Sequence, residues 1–206
     1  MEIPLPEDHP CRPASPYGET KWIFEQVLYA FHQCGRMDSI SLRCFNAAGA
    51  DPAGELGEDH SPETHLIPIG LLAVLTGKPV SIFGADYETP DGTCIRDYIH
   101  VTDLAQAHVL ALEKLETGDG SAVYNLGNGN GYSVREVIGT IEKVTGKKLI
   151  TIETARRPGD PARLVASSEK IKDELGWTPR YPDLNTIIRT AWEWYRNHPK
   201  GYEHEG

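Results

Sequence analysis

Tyr17 and Lys21 are the two residues whose types and spacing most directly suggest chemistry. On a helix, residues four apart lie on one face, one turn from each other. A lysine ammonium beside a tyrosine favours the phenolate, so a hydroxyl that ordinarily loses its proton near pH ~10 could act as a base near neutrality. Such a pair suits an enzyme that takes a proton from an alcohol while a hydride leaves the same carbon.

The residues around this pair predict the elements that position it. Ser15 is a good helix N-cap and Pro16 suits the first turn, so we expect a helix that starts here and stops at Gly35. Residues 39–45 alternate in polarity as a strand does. The glycine- and proline-rich residues 46–63 predict a long loop, and loops of that length in a compact domain are usually functional.

Helices and strands are expected to alternate along the rest of the chain. We expect helices over residues 66–76, 102–115, 133–146, 168–175 and 184–197. We expect strands over residues 79–83, 95–101, 123–126 and 148–154. This interleaving predicts an α/β fold.

Composition narrows the classes of function. With 20 Lys and Arg against 30 Asp and Glu, the chain carries a net charge of −10, which argues against a general nucleic-acid binder. No apolar run approaches ~18 residues, so we expect no membrane span, and the N-terminus does not resemble a signal peptide. Four scattered cysteines indicate reduced thiols in the cytoplasm. The eight histidines follow no H-E-x-x-H or H-x-H pattern, so the sequence predicts no metal.

A glycine-rich segment at 127–131 follows a predicted strand and precedes a helix, as a dinucleotide-binding loop would. The G-x-G-x-x-G pattern fails because residue 132 is tyrosine. No acidic residue closes a second strand about 20 residues further on, as such a unit requires. We therefore expect a turn here and not a phosphate-binding loop.

Motifs spread along nearly the whole chain resemble those of the extended short-chain dehydrogenase/reductase superfamily, and within it the UDP-glucose 4-epimerases. The matching segments are residues 16–21, 43–50, 57–59, 65–68, 82–84, 91–104, 124–127, 156–160 and 175–177. The most distinctive is D-G-T-C-I-R-D-Y-I-H-V, which begins at Asp91.

The resemblance implies a fold and an activity. Residues 1–50 would be the end of a Rossmann-type NAD-binding domain, and residues 51–206 mainly the smaller α/β domain that binds the UDP-sugar. The activity would be interconversion of UDP-glucose and UDP-galactose through a 4-keto intermediate and transient hydride transfer to bound NAD. Tyr17 would be the base, and Lys21 would support it and bind the nicotinamide ribose. The Phe45 backbone would lie beside the nicotinamide.

The resemblance also assigns residues to the substrate. Arg96 and Arg157 match the positions that bind the diphosphate, and Asp160 matches the carboxylate that binds a ribose. The remaining positions would contact the sugar or the uracil side: Asn46, His65, Leu66, Ser81, Ile82, Phe83 and Leu164. His65 stands where many members have asparagine. Leu164 stands where substrate-strict members have tyrosine and permissive ones a small residue.

In this family the G-x-x-G-x-x-G loop, the acidic residue that binds the adenosine ribose and a catalytic Ser or Thr would precede residue 1. We therefore expect an N-terminally truncated chain, inactive alone, that forms a homodimer when full length through the helix carrying Tyr17. Two alternatives stay open. One is a non-catalytic UDP-sugar-binding or interaction remnant, and the other is a related nucleotide-sugar epimerase or dehydratase.

Overall fold

The computed structural model describes residues 3–118 and 120–202 and has the expected α/β architecture. The helices are α1 (Pro16–Gln33), α2 (Leu66–Thr76), α3 (Val101–Thr117), α4 (Val134–Thr145), α5 (Glu169–Leu175) and α6 (Leu184–Asn197). The strands are β1 (Ile40–Cys44), β2 (Asn46–Ala48), β3 (Val80–Phe83), β4 (Ile95–His100), β5 (Ala122–Leu126), β6 (Gly131–Ser133), β7 (Thr151–Thr154) and β8 (Arg163–Leu164). Within the described ranges, no helix is long and apolar enough to cross a membrane.

The strands form three small sheets. β1 pairs with β5 and β3 pairs with β7, both in parallel. β4 is the centre of the third sheet, with β2 and β8 parallel to it and β6 antiparallel. The strand predicted at 148–154 is shorter, Thr151–Thr154, and three short strands were not predicted: β6, β8 and β2, which occupies the start of the expected 46–63 loop. Strands of two or three residues carry too little sequence pattern to be recognised, and they exist here because they pair with β4.

Two apolar clusters support these sheets. One lies between α2, α4 and α6 and includes the fully buried Leu71, Ile141, Ile187, Ile188 and Trp194. The other packs α3 and α5 against β1 and β5 and includes Ile99, Tyr124, Leu126, Ile171 and Trp177. Burying each large apolar side chain stabilises the fold by about 1.5–3 kcal/mol.

α1 contrasts with the other long helices because none of its residues is buried. Its exposed apolar side chains are Tyr17, Ile23, Phe24, Val27, Tyr29 and Phe31. The helix is held to β1 by a paired ion bridge in which Arg43 Nε and Nη2 donate to the two carboxylate oxygens of Glu25, at 2.8 and 2.6 Å. That hydrogen bonding raises the pKa of Arg43.

The buried carboxylate of Asp97 connects β4 to two separate loops. Its Oδ1 accepts the backbone N–H of Asn128 at 2.9 Å. Its Oδ2 accepts the N–H groups of Gly129 and Ala166 at 3.1 and 3.2 Å. Burial raises the pKa of Asp97, while these backbone hydrogen bonds act in the opposite direction. The approach is so close that a Cβ on Gly127 would lie 2.4 Å from Asp97 Oδ2, so only glycine fits there.

The imidazole of His100 is fully buried and joins three elements. Its Nδ1 accepts the N–H of Thr102 at 3.1 Å and so caps α3. The proton must then be on Nε2, which donates to Thr190 Oγ1 of α6 at 3.0 Å. Burial lowers the pKa of His100, because a charged imidazole loses its hydration there.

We predict that Asp97→Asn lowers the free energy of unfolding by about 1–3 kcal/mol. An amide has one oxygen instead of two, so at least one backbone N–H loses its partner and the new NH₂ faces other donors. Urea unfolding followed by the fluorescence of the buried Trp177 and Trp194 measures this. Asp173→Asn, on the exposed surface of α5, is the control and should stay within ~0.5 kcal/mol of the parent. Equal stability of the two variants would contradict the prediction.

A second prediction concerns pH. The pKa of His100 is lower in the folded state than in the unfolded chain, where it is ~6.5. As the pH falls, His100 is therefore protonated in the unfolded state before it is protonated in the folded state. The contribution of neutral His100 to the free energy of unfolding is present above pH ~6.5 and is lost as the pH falls below that value. His100→Gln, which keeps one acceptor and one donor but does not titrate, should flatten the loss of urea midpoint between pH ~7.5 and ~5.5. Identical slopes in parent and variant would show that His100 does not contribute.

Candidate functional site

Tyr17 and Lys21 have the geometry that their spacing predicts. The Ser15 hydroxyl caps α1 by accepting the N–H of Gly18 at 3.1 Å, which places Tyr17 in the first turn. The Lys21 Nζ lies 5.1 Å from the centroid of the Tyr17 ring. Tyr17 is 71% exposed, so its hydroxyl is accessible to a ligand. The arrangement offers a phenol and an ammonium on one open face.

Phe45 and Asn46 lie where β1 ends and β2 begins. Phe45 donates its N–H to the carbonyl of Leu126, the last residue of β5, at 3.0 Å. Asn46 Nδ2 donates to the carbonyl of Asp97 at 2.7 Å. Both predicted residues are therefore at the carboxyl ends of the parallel strands β1 and β5, the edge where α/β sheets bind ligands.

Arg96, Asp160 and Leu164 are brought together by the pairing of β4 with β8. Arg96 forms an ion pair through Nη2 with Asp160, and its side chain is 13% exposed. Its Nη1 donates to the carbonyl of Ile95 at 2.7 Å. Leu164 lies directly opposite Arg96 in the register of the two strands. Three of the predicted substrate residues thus form one local group.

Phe83 and Arg157 form a stacked pair at the end of β3. The Arg157 guanidinium carbon is 3.9 Å from the centroid of the Phe83 ring. Asp160 lies three residues further, and its N–H donates to the Arg157 carbonyl at 3.3 Å, which closes a turn. A guanidinium stacked by its face leaves the N–H groups at its edge free to meet an oxyanion.

The neighbouring predictions on β3 and α2 have different environments. The side chain of Ile82 is buried in the fold, which leaves only its backbone for a ligand, whereas Ser81 is exposed. Leu66 packs against the apolar cluster of α2, α4 and α6. His65 is at the start of α2 with its Nδ1 2.7 Å from Glu58 Oε1. The structure places the His65 ring among carboxylates and not beside Arg96, Arg157 and Asp160, which we call the arginine group.

A second arginine–aromatic pair, Arg156 on Tyr87, lies beside the first and was not predicted from the sequence. The Arg156 guanidinium lies 4.2 Å from the centroid of the Tyr87 ring, and its Nε donates to Asp86 at 2.7 Å. Gly84 makes room for it, because a Cβ there would lie 2.5 Å from the Tyr87 ring and 2.7 Å from Arg156. The consecutive arginines Arg156 and Arg157 in the sequence could have indicated that both belong to one anion-binding region.

The loop that carries Arg157 and Asp160 touches the chain just before α1. Gly159 has a positive φ of 77°, and a Cβ on it would lie 3.3 Å from the carbonyl oxygen of Ala14. Ala14 directly precedes Ser15, the cap of the helix that carries Tyr17. The tyrosine and the arginine group therefore border the same part of the molecule.

Comparisons with known proteins show what this chain is similar to. The UDP-glucose 4-epimerase of Halalkalibacterium halodurans is 52% identical over all 206 residues, and the chain spans 62% of its length. The structure of UDP-glucose 4-epimerase from Brucella ovis in complex with NAD is 48% identical with a TM-score of 0.88, over 93% of this chain and 59% of that one. The Bifidobacterium longum enzyme in complex with NAD⁺ and UDP is 38% identical with a TM-score of 0.90, over 98% and 61%.

The chain also matches the sequence profile of the NAD dependent epimerase/dehydratase family over residues 2–127. This range contains Tyr17, Lys21, Phe45, Asn46 and Arg96. Because the match covers more than half of the chain, the protein belongs to the NAD dependent epimerase/dehydratase family.

Proposed function

We propose that these 206 residues supply the base and the UDP-sugar site of a UDP-glucose 4-epimerase. The observation that carries the proposal is the closeness of the Arg157–Asp160 turn to Ala14, which precedes the cap of the Tyr17 helix: a Cβ on Gly159 would lie 3.3 Å from the Ala14 carbonyl oxygen. It puts groups suited to a diphosphate and a group suited to an alcohol proton on the same part of the molecule. The names of the relatives, which are about 50% identical, support the same assignment.

Tyr17 is the residue we assign to proton transfer. Its phenolate takes the proton of the sugar 4-OH, and the resulting hydroxyl later returns it to the 4-keto oxygen, while Lys21 provides the positive charge that favours the phenolate. NAD, when bound, supplies the acceptor and donor for the C4 hydride. The residues present fit such a cofactor, since Tyr17 is open to solvent and Phe45 is at the ligand-binding edge of the β1–β5 sheet.

The arginine group is assigned to the UDP part of the substrate. Arg157 keeps its edge N–H groups available while stacked on Phe83, and paired N–H donors match diphosphate oxygens. Arg96 is held by Asp160, which we assign to a ribose hydroxyl. Backbone groups of Ser81 and Ile82 would face the uracil. We assign Asn46, His65 and Leu66 to the remaining contacts, and the volume of Leu164 to the choice of sugar.

We extend the proposal to domains and assembly. Residues 1–50 would end the nucleotide domain, with β5 sharing its sheet through pairing with β1, and residues 51–206 would mainly bind the UDP-sugar. A second copy of the chain would cover the exposed apolar side chains of α1. The four unpaired cysteines support action in the reducing cytoplasm.

One observation favours a second candidate function. The 206 residues contain no G-x-x-G-x-x-G segment, so a chain made of them alone would bind UDP-sugars without turning them over. A related nucleotide-sugar epimerase or dehydratase would use the same Tyr17 and Lys21. The products formed from UDP-glucose distinguish these activities.

We predict that Tyr17→Phe lowers kcat by about 10²–10⁴-fold in a protein that joins these 206 residues to a G-x-x-G-x-x-G domain. The phenyl ring keeps the packing but has no proton to exchange. Interconversion of UDP-glucose and UDP-galactose is the assay, and Tyr29→Phe on the same helix is the matched control. Parent-like turnover of Tyr17→Phe would contradict the role of Tyr17, and turnover by the 206 residues alone with added NAD would contradict the need for the further domain.

We also predict that Arg157→Ala weakens UDP binding to the 206-residue chain by about 10–100-fold, since it removes a charge-assisted hydrogen bond. Isothermal titration calorimetry with UDP measures the Kd. Arg157→Lys should recover only part of the affinity, because lysine lacks the planar fork of donors. Arg189→Ala, on the exposed side of α6, is the control. An unchanged Kd in Arg157→Ala would remove Arg157 from the site.

A further inference from the structure

Four side chains converge in the segment that leads into α2. Glu58, His60, Glu63 and His65 each offer one potential ligand atom, and these atoms all lie within 4.8 Å of one another. We call them the Glu–His cluster. We propose that the Glu–His cluster binds a divalent transition-metal ion of the Zn²⁺ type.

The spacing of the ligand atoms fits a small four-coordinate ion. Two ligands bound to zinc at about 2.0–2.1 Å in tetrahedral geometry are roughly 3.3 Å apart. His65 Nδ1 lies 3.4 Å from Glu63 Oε1, and His60 Nδ1 lies 3.7 Å from the same oxygen. The shorter 2.7 Å distance from His65 Nδ1 to Glu58 Oε1 is a hydrogen bond that a metal would replace. Side-chain rotations that bring the ligand atoms, which lie within 4.8 Å of one another, to about 3.3 Å would complete the site.

Glu63 provides an independent indication of a missing partner. Its side chain is only 8% exposed, and its buried Oε2 forms no close hydrogen bond among the described residues, although the hydroxyl of Tyr195 faces the carboxylate. Oε1 accepts the N–H groups of Thr64 and His65 at 2.6 and 2.7 Å, which fixes the carboxylate in place. An unpaired oxygen of a buried carboxylate is costly unless a cation or donor meets it. The oxygen near the two histidines is Oε1, and a metal ion that binds the carboxylate through both oxygens would also satisfy Oε2.

The surroundings add negative charge and rigidity. Burial raises the pKa of Tyr195, and the carboxylates of Glu58, Glu63 and Asp59 raise it further, so all three face this region. The backbone of the segment is fixed where Trp194 Nε1 donates to the Glu58 carbonyl at 3.1 Å. Tyr202 donates its N–H to Asp59 at 2.9 Å. The site is thus largely preformed.

The ligand types indicate which ion would bind. Imidazole nitrogen favours Zn²⁺, Co²⁺ or Ni²⁺, whereas Mg²⁺ and Ca²⁺ prefer all-oxygen sites. The side chains of His60 and His65 are 49% and 60% exposed, and their rings stack at 5.6 Å, so the ion can enter from solvent. Short histidine motifs do not find this cluster because its spacing is Glu-x-His-x-x-Glu-x-His.

The test is titration of the reduced 206-residue chain with Co²⁺, followed by competition with Zn²⁺. We expect one Co²⁺ per chain with the intense visible absorption of four-coordinate cobalt, displaced by Zn²⁺ and not by excess Mg²⁺. His60→Gln and Glu63→Gln should each weaken binding by at least about 10-fold. His60 is exposed, so its replacement leaves the fold intact even if Glu63→Gln does not fold.

His32→Gln is the matched control, because His32 Nδ1 also lies 2.7 Å from a carboxylate, that of Asp38, outside the cluster. It should bind Co²⁺ as the parent does. Absence of saturable binding, equal binding by all variants, or the near-ultraviolet charge-transfer bands of cobalt thiolates would each overturn the proposal. The last result would assign the metal to cysteines.

Discussion

The carboxylate of Asp97 is the point on which the central sheet depends. Through three backbone N–H groups it fixes the turn after β5 and the chain after β8 relative to β4. Side chains alternate along a strand, so its neighbour Arg96 points the other way and meets Asp160. Asp97, which is fully buried, organises the fold, and Arg96, which is partly buried, belongs to the proposed substrate site. A displacement of Asp97 would move the arginine group with it.

The glycine-rich segment at 127–131 shows why a motif must be interpreted together with its partners. Its N–H groups do form an anion-binding turn, as the glycines suggest, but the anion is the carboxylate of Asp97. The aspartate that begins the D-G-T motif, Asp91, is likewise hydrogen-bonded within the fold. Asp91 accepts the N–H and hydroxyl of Thr93 at 2.9 and 2.7 Å and the hydroxyl of Ser133. Burial alone would raise the pKa of Asp91, and these hydrogen bonds outweigh that effect and lower it.

Local signals in the sequence predicted the helices well, because a helix is capped and stopped by its own neighbours. Ser133 and Glu136 form the expected capping box, and Gly77 ends α2 with a φ of 71°. What the sequence did not reveal depends on residues far apart along the chain. The contact of Arg156 with Tyr87 and the pairing of β8 with β4 are of this kind. The Glu–His cluster is a different case, because its four members lie within residues 58–65, and it was not predicted because their spacing matches no short histidine motif.

Because α1 is exposed, it can open without unfolding the rest of the chain. A helix with no buried residue contributes little to the cooperative unit formed by the two apolar clusters. Its opening is then a local event with its own small free energy, separate from global unfolding. Tyr17 lies on that helix, so under the proposed function proton transfer would be lost while the proposed UDP site stays folded. If a second copy covers α1 as proposed, dilution would reduce turnover before it reduces UDP binding.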